Sequence, residues 1–147
     1  AQRGAHARGG NPGGAGAPPV RDEPLRAVAT SSFAPLLASL GVSLAVSTYQ
    51  AGRLILLRAD GDKLNTHFRP FDTPMGLALR GNRLAVGAGN QVWHFQDQPE
   101  AGRRLDPPGR HDACYLPRAR HYTGDIRIHD VAFAGDELWA VNTRFSC

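Results

Sequence analysis

The densest group of chemically capable side chains lies between Arg110 and Asp130, where His111, Asp112, Cys114, His121, Asp125, His129 and Asp130 fall within 21 residues. Three imidazoles, three carboxylates and a thiol are the donor types of a metal centre or a Cys/His nucleophile pair. Their spacing matches no zinc pattern, and polar residues of a connecting loop would give the same composition. The standard catalytic strings are missing: there is no G-x-S-x-G elbow, no Gly-rich phosphate loop ending in Gly-Lys-Ser/Thr and no H-E-x-x-H. Whether the chain is an enzyme is left open, and no cofactor is implied.

The elements that position these residues are legible. Phe33, Leu36, Leu37 and Leu40 recur at helical spacing after Ser32 and before Gly41. This predicts a short helix over Phe33–Leu40, with Ser32 as cap and Gly41 as stop. Downstream the helical period ends and short apolar runs take over, such as Leu54–Leu57, Leu84–Val86 and Leu138–Val141. Each has strand length. Apolar residues at consecutive positions imply burial on both sheet faces. The gaps are too short for helical crossovers, and Asp60-Gly61, Gly81-Asn82, Gly89-Asn90 and Gly135-Asp136 carry hairpin chemistry.

A repeat organises the strands. Residues 75–86 align without gaps on residues 129–140, sharing Ala78/Ala132, Gly81/Gly135 and Leu84/Leu138 at an offset of 54. The expected fold is all-β: antiparallel four-stranded meanders forming about two and a half blades of a partial β-propeller, behind the short N-terminal helix. Propeller blades run about 40–50 residues, so one blade carries an insertion. The expected strands are 44–49, 53–58 and 63–68 in the first unit and 76–80, 83–88, 91–96 and 112–116 in the second. The third unit has 128–134 and 137–143. Residues 97–124 read as a long, proline-stiffened loop. Because the third unit holds two strands and propellers have about four blades or more, residues 25–147 are expected to be a truncated piece of the domain. Residues 1–24, rich in Gly, Ala, Pro and Arg, are expected to be disordered.

This frame narrows the site. A two-residue turn at Gly135-Asp136 sets His129 opposite Asn142 and Ile128 opposite Thr143. His129, Asp130, Asn142 and Arg144 then form a candidate ligand-binding group at the mouth of a propeller channel, with His111 and His121 reaching in from the insertion. Met75 and Ala88 are the equivalent pair one unit earlier. Hydrogen bonds from His129 and Asp130 to backbone are the structural alternative. Trp93 and Trp139 read as core residues between blades, and Cys114 as a small buried strand residue.

The net charge of +4 does not mark a nucleic-acid surface. Half of it comes from the first 26 residues, and sixteen arginines beside the single Lys63 fit a GC-rich genome. Arg103-Arg104 and Arg118-Ala119-Arg120 read as solvated loop residues rather than a binding stripe. No run is long enough to span a membrane, and two cysteines make no disulfide framework. A cytoplasmic location is expected.

The motifs Ser47-Thr48-Tyr49-Gln50-Ala51-Gly52, Leu64-Asn65-Thr66-His67-Phe68, Pro74-Met75-Gly76-Leu77-Ala78, Pro107-Pro108-Gly109-Arg110-His111-Asp112 and Val141-Asn142-Thr143-Arg144-Phe145-Ser146-Cys147 resemble a bacterial conserved-hypothetical family. Its members carry a domain of unknown function considered propeller-like, and they extend past the end of this chain. The resemblance covers about residues 31–147. It implies a propeller fold and supplies no activity, leaving a binding or scaffold module, with a small molecule or a protein as partner, as the expected function. A metal-dependent enzyme at the channel mouth is the alternative, with His129, Asp130 and Asn142 as first ligands.

Overall fold

The computed structural model describes Leu25 and residues 27–145. The expected disorder of residues 1–24 concerns a segment outside them, as does Cys147. Helix α1 (Phe33–Leu40) is followed by three antiparallel sheets. The first holds β1 (Leu44–Thr48), β2 (Arg53–Asp60) and β3 (Lys63–Pro70). The second holds β4 (Pro74–Arg80), β5 (Arg83–Ala88), β6 (Gln91–Asp97) and β7 (Tyr115–Tyr122), with helix α2 (Pro99–Arg103) between the last two. The third is the hairpin of β8 (Ile128–Ala134) and β9 (Glu137–Asn142).

Helix α1 ends where expected, because Gly41 takes the left-handed conformation at φ 62° and its N–H closes on the last turn. Its start differs from expectation. Ser32 makes no side-chain cap; its hydroxyl lies 3.2 Å from Thr30 Oγ1, and helical backbone already at Ser32 turns the side chain off the first turn. Ala34 and Leu37 form the buried face of the helix.

Tight Gly-Asx turns join the hairpins at Gly61-Asp62, Gly81-Asn82, Gly89-Asn90 and Gly135-Asp136, each led by a glycine at φ 55–63°. At the first of these, Asp60 still belongs to the strand, paired with Lys63.

The second sheet lies between the other two. From β5, Leu84, Val86 and Ala88 join Leu54 of the first sheet, with Phe71, Leu77, Trp93, Phe95 and Tyr115 packed around them. Ala85 turns the opposite way, into Ala78, Val92, Ile128 and Val131 toward the third sheet. A central strand between two sheets must be apolar at successive positions, and β5 is buried from Leu84 to Ala88. Small residues let the third sheet approach closely. A Cβ on Gly76 would stand 2.6 Å from the Val131 nitrogen, and one on Gly87 2.6 Å from Ile128 Cγ2.

Trp93, expected in the core, is half-buried and packs against it, edge-on to Phe71 at 5.8 Å and stacked on Phe95 at 6.2 Å. Trp139 is not in the core. It is 64% exposed on the outward face of the third sheet, which no described element covers.

About half of the expected loop over residues 97–124 is instead helix or strand. Helix α2 interrupts it, and β7 starts at Tyr115, three residues later than expected, and runs to Tyr122. Pro117 argues against a strand in a sheet interior, but β7 is an edge strand. A bulge opposite His94 and Phe95 leaves Arg118 unpaired beside Pro117, the placement a strand proline tolerates. Arg118 and Arg120 therefore sit on a strand, and the Arg120 guanidinium lies 5.1 Å from the centre of the Trp93 ring. Cys114 precedes the strand and is half-buried; its N–H donates to Asp97 Oδ1 at 2.7 Å.

Candidate functional site

The meander brings one set of connections to a common end of the three sheets: the β1–β2 and β5–β6 turns and the β3–β4 and β7–β8 segments. There they enclose an open cleft of about 410 Å³, lined by Tyr49, Asp72, Thr73, Met75, Gly89, Asn90, Asp125, Arg127, Ile128 and His129.

The backbone at this end repeats itself. In the third sheet the register of β8 with β9 runs without a break from Ala134↔Glu137 to Val131↔Ala140, then shifts, so that Ile128 faces Asn142. In the second sheet the same shift lies between Leu77↔Val86 and Pro74↔Ala88. Both bulges fall at the same step of the 54-residue repeat. They correct the expected pairing: Ile128 rather than His129 is opposite Asn142, and Pro74 rather than Met75 is opposite Ala88. An extra residue on the bulged strand slips the register by one, which a turn-based count does not anticipate.

The residue before each of these strands is also equivalent. Thr73 at φ 43° and Arg127 at φ 49° are the non-glycine residues with left-handed backbone among the described residues, and both line the cleft. A side chain in this region is disfavoured by about 1–2 kcal/mol, so it persists where neighbours hold it. At Arg127 the holding contact is visible, since Thr143 Oγ1 donates to its carbonyl at 2.7 Å. The Arg144 N–H donates to the Ile126 carbonyl at 3.2 Å, and Thr123 N–H to the Asn90 carbonyl at 2.8 Å, which together tie the β7–β8 segment to its surroundings.

The residues singled out by sequence divide sharply. His129 lines the cleft. Arg144 borders it indirectly, as its guanidinium is ion-paired with Asp125. Asp130 Oδ1 accepts the Val131 N–H at 2.8 Å, a bond within the bulge, and Asn142 Oδ1 accepts the Phe145 N–H at 3.1 Å. Neither lines the cleft.

His111 and His121 do not reach in from an insertion. His111 Nε2 is 3.4 Å from the Asp106 carbonyl. His121 stands on β7 with its ring 4.8 Å from that of His94. Strand formation across 115–122 holds His121 in the second sheet instead of on a free loop. Among the described residues no three His, Cys, Asp or Glu side chains converge as metal ligands would.

Tyr49, Asp72, Thr73, Asn90 and Arg127 escaped the sequence reading. The repeat carried them in part, because Thr73 and Arg127 sit at equivalent positions just before the aligned segments. Their left-handed backbone had no signal, and at Thr73 the following Pro74 favours extended backbone instead.

Among the described residues no helix is long and apolar enough to cross a membrane. No curated protein and no solved structure matches the chain. A family model does match, over residues 31–147, which takes in α1, all three sheets and every wall of the cleft. On that match the chain belongs to the family described as a domain of unknown function, DUF4915.

Proposed function

We propose that this chain is a binding module of the β-propeller type, whose three sheets are successive blades and whose ligand occupies the cleft where their first strands begin. One observation carries the proposal. The bulge and the left-handed residue recur together 54 residues apart, and Thr73 and Arg127 line one shared cleft. Strained backbone that recurs at corresponding places and opens on one cavity is the usual mark of a functional rim. A binding role is favoured over metal-dependent catalysis because Asp130 and Asn142, the expected partners of His129, are engaged with backbone and do not line the cleft. Further blades, in a bacterial cytoplasmic protein, belong to the same proposal.

The test is a thermal-shift screen of metabolites and short peptides against the wild-type chain and an Asn90→Trp variant, whose indole would fill the cleft. A ligand that raises the wild-type midpoint and loses its effect in the variant is the expected result. Ligands that stabilise both proteins equally, or no ligand at all, would overturn it.

A further inference from the structure

Two charged side chains line the cleft without an ion-pair partner. Asp125 is neutralised by Arg144, whereas Asp72 and Arg127 take part in no ion pair among the described residues, with each other or with a third group. Opposite charges that share one cleft and do not neutralise each other present a dipole to whatever enters.

Each charge is carried on anchored backbone. Asp72 packs against the β5–β6 turn so closely that a Cβ on Gly89 would stand 2.5 Å from Asp72 Oδ2. Gly89 itself adopts φ 55°, so the turn and the carboxylate above it both depend on the missing side chain. Arg127 is held by the Thr143 hydroxyl, as described above.

We propose that the cleft takes a small zwitterion of the amino-acid class, its carboxylate on the Arg127 guanidinium and its ammonium on the Asp72 carboxylate. Asn90 and His129 supply further hydrogen-bonding groups in the same cleft, and Tyr49 and Ile128 supply apolar wall. Charge-assisted hydrogen bonds to carboxylate and guanidinium are the strong ones. A ligand with a single charge engages one of the two groups and forgoes the charge-assisted bond to the other, so the cleft favours the zwitterion. The proposal rests on the cleft being the binding site.

Calorimetric titration of the wild-type chain compares free glycine, L-leucine and L-glutamine with the N-acetyl and methyl-ester derivatives of each. Acetylation removes the ammonium charge and esterification the carboxylate charge. At least one free amino acid is expected to bind roughly tenfold more tightly than both of its derivatives. In Asp72→Asn, which keeps the shape, the preference over the N-acetyl form should vanish. In Arg127→Asn, whose side chain suits left-handed backbone, the preference over the methyl ester should vanish. Free amino acids that bind no better than their blocked forms, or preferences unchanged in both variants, would sink the zwitterion. Should another class of ligand bind and be displaced in Asn90→Trp, the cleft survives as the site and only its charge assignment falls. Where Asn90→Trp displaces nothing, both fall.

Discussion

The imidazole of His94 lies on the face of the second sheet that carries Val92, with His121 4.8 Å away and the Arg83 charge nearby. Burial lowers its pKa below the ordinary 6.5, and the His121 and Arg83 charges lower it further. The folded protein thus resists a proton that the unfolded chain accepts freely. Stability is complete above the unfolded value and falls as pH drops from about 6.5 through the folded pKa. Urea unfolding between about pH 8 and pH 5 should show this decline, and His94→Gln should flatten it. An equally steep decline in the variant would assign the effect elsewhere. Arg83 also lies 4.8 Å above the Phe133 ring of the third sheet, so the region where His94 titrates includes the contact between two sheets.

At the scale of the element, the bulges decide what each first strand presents to the cleft. In β8 the extra residue lies among residues 128–131, and the Asp130 carboxylate accepts the Val131 N–H at the point where the ladder resumes. Removing that acceptor in Asp130→Ala should cost about 1 kcal/mol in denaturant unfolding, while Asp130→Asn keeps an acceptor and most of the stability. Equal losses in the two variants would mean that charge, and not the bond to Val131, is what matters. In β4 the equivalent position is Gly76, where no side chain fits against the Val131 backbone. The same bulge is therefore held in one sheet by a carboxylate and in the other by close packing.

The whole molecule is asymmetric in its coverage. The face of the second sheet formed by Ala78 and Ala85 is covered by Ile128 and Val131. Its counterpart on the third sheet bears Trp139 and Val141, exposed at 64% and 49%. The Trp139 indole N–H is bonded to Glu137 Oε2 at 3.2 Å, which satisfies its polar edge and leaves the ring open. An uncovered apolar sheet face with a free strand edge favours self-association. Sedimentation velocity of the 147-residue chain should show concentration-dependent oligomers, reduced in Trp139→Lys. A monomer at all concentrations would mean that this face is stable in water. Ion pairs such as Arg80 with Asp136, at 3.3 Å between the second and third sheets, are exposed and add at most about 1 kcal/mol each.

Much of this architecture was written locally. Gly-Asx dipeptides supply positive φ wherever they fall, so the hairpins at Gly81, Gly89 and Gly135 were readable one turn at a time. The doubled apolar positions of β5 announced burial on both faces, and the gap-free match of residues 75–86 with 129–140 announced equivalent hairpins. What remained hidden depended on contacts distant in the chain. The bulges exist because β4 and β8 meet their partners with an extra residue, β7 because an edge can tolerate Pro117, and left-handed Arg127 because a hydroxyl 16 residues away holds its carbonyl. His129 was found because the turn-based pairing and the propeller frame put the start of β8 at the channel face, although the bulge gives the place opposite Asn142 to Ile128. Asp72, Asn90 and Arg127 became visible only when four separate connections met at one end of the stacked sheets, since residue type and spacing carry no record of which loops become neighbours.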